Sequence, residues 1–354
     1  MNRATPARDR QVSLAVKAHK KDASEVLKAI VSQGALDKGR KVIKAGEHVE
    51  IPVTRPVCGW EPLQQKAPVF YRRLPDLALA LQDEIPGDLL ALLPRGWFLL
   101  GEVIVVSIHP LLASHEGRIA QALLDYYPRC CTVLADEGIS GPLREPRRRL
   151  LAGSRTETVH RENSVSFHLD ASRVMFSPGN LRERMRMSRL GGGERVVDMF
   201  AGIGYFSIPM AVHSRPERIL AIELNPNAYH YLCQNIRRNR VHDIVEPVLG
   251  DCAKVTPVGV ADRVVMGMVQ VTDRYLEKGI LALRPGGILH YHQTVPSWLY
   301  PEAAARDVEK AAAALGRSAE VLNCIRVKKF SPGVVHAVID ARIDSDAARI
   351  EGDY

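Results

Sequence analysis

From about Phe176 to Ala341, short apolar runs alternate with stretches of helical periodicity. That alternation is the mark of a parallel sheet covered by crossover helices. Arg195–Met199 reads as a strand and Gly204–Val212 as a helix, then Arg218–Ile222 and Ala228–Arg238 as the next pair. Val245–Leu249 and Arg263–Met268 read as strands, Tyr275–Leu283 as a helix, and Gly287–Tyr291 as a strand after a Pro285-Gly286-Gly287 turn. Ala303–Leu315 is an Ala-rich helix. Val321–Lys329 and Val334–Ala341, joined through Ser331-Pro332-Gly333, close the sheet as an antiparallel hairpin.

Within this region the sharpest local signal is Val196-Val197-Asp198-Met199-Phe200-Ala201-Gly202-Ile203-Gly204. An apolar strand ends in an acid and is followed by a glycine turn and a helix start. Glycines let backbone approach a ligand closely, and an acid at a strand end can hold an amine or a hydroxyl. Glu223 ends the second strand, nineteen residues after Gly204. It is placed to bond both hydroxyls of a ribose. Asp251 and Cys252 follow the third strand, where an adenine edge would lie. A dinucleotide fingerprint wants a third glycine, but Ser207 stands at its position. An acid just before the turn suits a nucleoside with a cationic amino-acid end, and S-adenosylmethionine has one.

The rest of the chain is ordinary for a globular protein, with 46% hydrophobic and 25% charged residues among 354. No apolar stretch reaches the roughly 18–20 residues of a membrane span. Trp97–Ile108 is broken by Glu102 and reads as a buried strand. The N-terminal MNRATPARDRQ has no apolar run after it, so no secretory signal is expected. The six cysteines, Cys58, Cys130, Cys131, Cys233, Cys252 and Cys324, form no CxxC pair. They suggest a reduced, cytoplasmic chain without a metal site. Three regions are expected: a small α/β unit over 1–66, a mixed α/β domain over 67–163 and a nucleotide-binding domain over 164–354. A net charge of +8 leans toward a polyanionic partner. Arg144, Arg147, Arg148 and Arg149 cluster as candidate phosphate contacts, as do Arg237, Arg238 and Arg240.

Further motifs carry a family resemblance. They are His160-Arg161-Glu162-Asn163, Phe167-His168-Leu169-Asp170, Val174-Met175-Phe176-Ser177-Pro178-Gly179-Asn180 and Glu183-Arg184-Met185-Arg186, together with the glycine turn. The stretch from about Arg144 to Ala341 resembles the tRNA guanine-37 N1-methyltransferases and the related wybutosine-pathway aminocarboxypropyltransferases. The resemblance implies a class I S-adenosylmethionine-dependent, Rossmann-like methyltransferase fold, with tRNA as partner. It implies that Ser177, Arg184, Glu223 and Asp251 touch S-adenosylmethionine. Read locally, Ser177 would instead cap the helix after Pro178, and Arg184 would be one charge on a solvated helix face.

The methyltransferase branch carries Asn-Pro-Pro after its fourth strand. Here the stretch is Met266-Gly267-Met268-Val269-Gln270, which resembles the aminocarboxypropyltransferase branch, as do Ile288–Thr294 and Lys328–His336. The acceptor implied is a tricyclic wyosine-type base (4-demethylwyosine, C7) at position 37 of tRNA(Phe). Met266, Gly267 and Met268 are candidates for an apolar cradle, the two methionines sharing a face by alternation. Glu183 matches the methyltransferase branch's base, and His290 and His292, expected at a strand end, are the other candidate proton acceptors. The alternatives are a tRNA guanine-37 N1-methyltransferase and a non-catalytic RNA-binding protein of the same fold.

Overall fold

The computed structural model describes residues 13–70 and 76–344. The N-terminal stretch read above for a signal lies outside the described residues. The chain divides into two compact units, Met1–Asp76 and Leu77–Tyr354.

In the first unit, β1 (Leu14–His19), α1 (Ala23–Ser32), β2 (Ile43–Ala45), β3 (His48–Pro52) and β4 (Pro62–Gln64) follow one another. The strands form an antiparallel sheet in the order β2-β3-β1-β4. Val26 and Ile30, one helical turn apart, bury one face of α1 in a cluster with Val16, Val49 and Ile51. Arg40 is buried and donates to Gln65 Oε1 and to the carbonyls of Leu14 and Val53. Its backbone also bridges Phe70, so the unit extends beyond residue 66, its expected end.

The second unit opens with α2 (Leu77–Leu81), β5 (Trp97–Leu100), β6 (Val103–Val106), α3 (Glu116–Tyr126), β7 (Thr132–Ser140) and β8 (Glu145–Ala152). Its first sheet has the order β5-β6-β7-β8. The apolar run expected as a single strand is a hairpin, because the chain reverses at Gly101 with φ +53°. There a side chain would collide with the Val159 carbonyl, 2.6 Å from a Cβ. Next come β9 (Glu157–Glu162) and β10 (Val165–Asp170), paired around Asn163 and Ser164, both in the left-handed region that a two-residue hairpin loop demands. The expected boundary at 163 therefore cuts a hairpin. Leu100, Val105 and Leu134 also share one apolar cluster with Phe167, Phe176 and Ile203, so the two expected regions pack on a common core within one compact unit.

The chain continues through α4 (Leu181–Met187), β11 (Arg195–Asp198), α5 (Ser207–His213), β12 (Arg218–Glu223), α6 (Pro226–Arg238), β13 (Val245–Leu249) and α7 (Cys252–Val255). It ends with β14 (Ala261–Met266), α8 (Leu276–Ala282), β15 (Leu283–Pro296), α9 (Glu302–Ala314), β16 (Ser318–Ser331) and β17 (Val334–Asp344). These build a seven-stranded sheet in the order β13-β12-β11-β14-β15-β17-β16. The first five strands are parallel, and β17 and β16 are the antiparallel hairpin. Val197, Val264, Val265, Leu289 and Ile339 are buried, as strands covered on both faces require. Pro285-Gly286-Gly287 is a bulge inside β15 rather than a turn before it, since pairing jumps from Ala261–Leu283 to Arg263–Ile288. Strand order reverses between β11 and β14. That switch point opens a crevice at the carboxyl ends of β11, β12 and β14.

Candidate active site

At the end of β11 the chain enters the glycine turn. Gly204 has φ +98°, and a Cβ there would lie 2.4 Å from Ile208 Cδ1. Beside it, at the end of β12, Glu223 accepts from the Gly202 amide through Oε2 and from the Asn225 amide through Oε1, both at 2.7 Å. Burial pushes its pKa up. A carboxylate offers about four lone-pair positions. Two are filled, leaving one on each oxygen, a pattern that fits the two adjacent hydroxyls of a ribose. Glu223→Ala is expected to weaken S-adenosylmethionine by about 1.5–3 kcal/mol, the worth of hydrogen bonds to a charged group. Unchanged affinity in a calorimetric titration of the folded variant would remove Glu223 from the site.

Asp198 does not have the role expected of it. It is 1% exposed, accepts the Ser207 hydroxyl at 2.6 Å and faces the Phe200 amide at 3.3 Å. Burial pushes its pKa to about 6. The carboxylate braces β11 against α5 instead of meeting a ligand amine. Ser207, seen in the sequence only as the absence of a third glycine, is its partner. Asp251 caps α7 through the Ala253 amide at 3.0 Å, and burial pushes the Cys252 thiol up to about 12. The Gly250 amide donates to the Glu223 carbonyl at 2.9 Å and holds this strand end beside Glu223.

Ser177 and Arg184 come together, and neither has its local reading. Arg184 is 3% exposed, with Nε and Nη2 paired to Glu162 and Nη1 donating to the Ser177 carbonyl at 2.8 Å. Its guanidinium lies 4.9 Å from the centre of the Phe176 ring. Ser177 makes no side-chain cap bond, and its hydroxyl accepts from Lys328 Nζ at 2.8 Å. Lys328 and Glu162 were visible in the sequence only as parts of family motifs.

The expected cradle is reduced. Met266 is fully buried beside Gly279, so it belongs to the core. β14 ends there, so alternation does not carry on to Met268. A Cβ on Gly267 would lie 2.6 Å from Phe206 Cε2, so the glycine lets that ring cross the strand end. The side-chain amide of Gln293 is taken by the Gln270 and Thr294 amides, Tyr291 Oη and Asp273.

His290, His292 and Glu183 are corrected as well. The two histidines lie inside β15, not at its end, and all three side chains are buried. His290 Nε2 receives Arg263 at 2.5 Å, so its Nδ1 donates to Asp340 at 2.6 Å. Arg263 is paired with Glu194, and Arg186 bridges Asp340 to Glu183. His292 Nδ1 lies 3.1 Å from His336 Nε2, and its own Nε2 is 3.8 Å from Glu183. Burial pushes the pKa of both His292 and His336 down to about 3. These groups form an internal chain of ion pairs and neutral histidines that fastens α4 to β15 and β17. None presents a basic atom to the crevice.

The arginine cluster also comes apart. Alternation along β8 turns Arg148 inward, where its side chain is 3% exposed, bonds the Ala171 carbonyl and lies over the Phe98 ring. It is withdrawn as a phosphate contact. Arg149 is neutralised by Glu116 and Glu137, while Arg147 donates to the Glu137 carbonyl and Arg144 to Gln270. Among the described residues no group of three or more His, Cys, Asp or Glu side chains could hold a metal ion. No helix among them is long and apolar enough to cross a membrane.

Comparison with known proteins agrees with this arrangement. Residues 158–322 match the family model for the TRM5/TYW2 methyltransferase domain, 77–156 the TYW2 N-terminal domain and 15–61 the tRNA methyltransferase 5 N-terminal domain. The tRNA(Phe) (4-demethylwyosine(37)-C(7)) aminocarboxypropyltransferase of Pyrococcus horikoshii is 37% identical over 270 residues, which is 76% of this chain and 96% of the relative. The crystal structure of P. horikoshii TYW2 in complex with MeSAdo superposes with a TM-score of 0.68 at 35% identity, covering 76% of this chain and 98% of that one. The tRNA (guanine(37)-N(1))-methyltransferase Trm5b of Pyrococcus abyssi is 31% identical over 335 residues, 94% of this chain and 99% of the relative. The parallel sheet with its terminal hairpin, the glycine turn beside Glu223 and these likenesses lead to one conclusion: the chain belongs to the TRM5/TYW2 family of S-adenosylmethionine-dependent tRNA-modifying enzymes.

Proposed function

We propose that this enzyme transfers the 3-amino-3-carboxypropyl group of S-adenosylmethionine to C7 of 4-demethylwyosine at position 37, in the anticodon loop of tRNA(Phe). The observation that carries the reading is the likeness to the P. horikoshii aminocarboxypropyltransferase across almost all of that protein. When bound, S-adenosylmethionine supplies a sulfonium that makes the methionine γ-carbon electrophilic and leaves as methylthioadenosine. The new bond joins the ring carbon to that γ-carbon, the γ-carbon–sulfur bond breaks, and the ring proton passes to water. Glu223 holds the ribose, and Asp251 and Cys252 border the adenine. Gly202 and Gly204 shape the turn beneath the nucleoside, and Ser177 and Arg184 border its tail. Gly267 and Met268 line the place of the acceptor base. Choice between methyl and γ-carbon is then a matter of position, since one leaving group activates both. The region from Leu77 to Glu162 contacts tRNA, with Arg144 and Arg147 as the phosphate partners. The protein works in the cytoplasm, in keeping with its free cysteines.

Sulfur-product analysis tests this. With tRNA carrying the tricyclic base, methylthioadenosine should accumulate in step with modified tRNA. S-adenosylhomocysteine in its place would make the protein a methyltransferase, and neither product would make it a silent RNA-binding relative.

A further inference from the structure

Lys328 is a cation with no carboxylate partner among the described residues. Lys328 lies near the carboxyl end of β16, opposite His336, which in turn lies opposite Thr294 of β15. Because β17 runs against both neighbours, β16 and β15 point the same way. Lys328 therefore stands at the end of the sheet where the crevice opens. Its ammonium donates to Ser177 Oγ at 2.8 Å. Among the described residues no carboxylate lies within 4.0 Å of it. The charge that acts on it is that of Arg184, which is itself paired with Glu162. Burial and Arg184 together hold the ammonium below the ordinary lysine range. Gly179 keeps the space open, for a Cβ there would press on Lys328 Cδ and Nζ at 3.3 Å. A half-buried ammonium has three donors, and only one is used here. Such a group, bonded to a hydroxyl and facing another cation, calls for an anion.

We propose that Lys328 binds the carboxylate of the aminocarboxypropyl group that is transferred, with Ser177 orienting the ammonium. This rests on the reaction proposed above. Holding the tail by its far end directs the γ-carbon, rather than the methyl group, toward the acceptor. A tRNA phosphate offers the same chemistry, so the test separates the two sources.

Lys328→Met is titrated with S-adenosylmethionine and with methylthioadenosine, which lacks the tail, and its tRNA affinity is measured by filter binding. The expected result is S-adenosylmethionine weakened about 10- to 100-fold, with methylthioadenosine and tRNA unchanged. Lys328→Arg, which keeps the charge, should recover most of the loss. Equal weakening of both nucleosides would make Lys328 structural and overturn the proposal. So would an unchanged titration, or a loss confined to tRNA, which would assign the anion to a phosphate. Failure of the unaltered protein to bind either nucleoside would instead overturn the underlying reading of the reaction, and this proposal with it.

Discussion

Replacing Arg186 by Met is expected to destabilise the Leu77–Tyr354 unit by about 3–5 kcal/mol, the usual cost of removing one partner from a buried ion pair. Arg186 is bidentate to Glu183, at 2.9 and 2.6 Å, and bonds both oxygens of Asp340, at 2.7 and 3.2 Å. Both carboxylates are nearly fully buried. Asp340 would keep His290, but Glu183 would keep only the weak approach of His292. In the intact protein His290 and Arg186 hold the Asp340 carboxyl down at about 2. A depressed carboxyl pKa stabilises the fold above the ordinary aspartate pKa of about 4 and ceases to do so as pH falls toward 2. The variant should lose that support at neutral pH. Urea unfolding of the variant against the parent measures the effect. A change under 1 kcal/mol would mean that water replaces the arginine and that α4 is held by packing alone. Adding Glu183→Gln and Asp340→Asn should recover most of the loss, because uncharged partners no longer leave buried charge unpaired.

The same residues explain what could be read in advance. The strand–helix alternation after Phe176 was legible because each strand is buried on both faces and each crossover helix keeps its own apolar period. The glycine turn and the acid ending β12 were legible because their chemistry is local. Partners far apart in sequence were not. Arg186 meets Asp340 across 154 residues, and Lys328 meets Ser177 across 151. No spacing rule links them, so Arg184, Glu183 and the histidines looked like separate groups with separate roles. An acid at a strand end, such as Asp198, serves a ligand or a neighbouring helix equally well, and only the fold shows Ser207 reaching it. A polar, alternating strand such as β8 does not announce which of its faces is covered, so the burial of Arg148 is not legible in the sequence. At the cradle the difference is two residues of strand length, for β14 stops at Met266 where the expected strand runs on to Met268.

Unmodified guanine at the target position is expected to be a very poor acceptor. Its N1 bears a proton, so methyl transfer there needs a base to remove it and polar groups to hold the base edge. Glu183, which the family resemblance matches to the methyltransferase branch's base, is 3% exposed and already bidentate to Arg186. His290 has both nitrogens occupied, and His292 is buried behind Phe206, its ring 5.2 Å away. The Gln293 amide beside the strand end is filled by its neighbours. General base catalysis contributes about 10²–10⁴-fold, so its absence alone suppresses reaction at N1 by that much. The tricyclic base presents an electron-rich carbon and a wide face, which apolar contact holds at about 25 cal/mol per Å² buried. The measurement uses S-adenosylmethionine labelled separately in the methyl and carboxyl positions, with tRNA carrying either base. Carboxyl label should enter the tricyclic tRNA, and methyl label should enter neither. Methyl label in the guanine-bearing tRNA at a comparable rate would mean that the Glu183–Arg186 pair opens on tRNA binding and frees the carboxylate to act as a base.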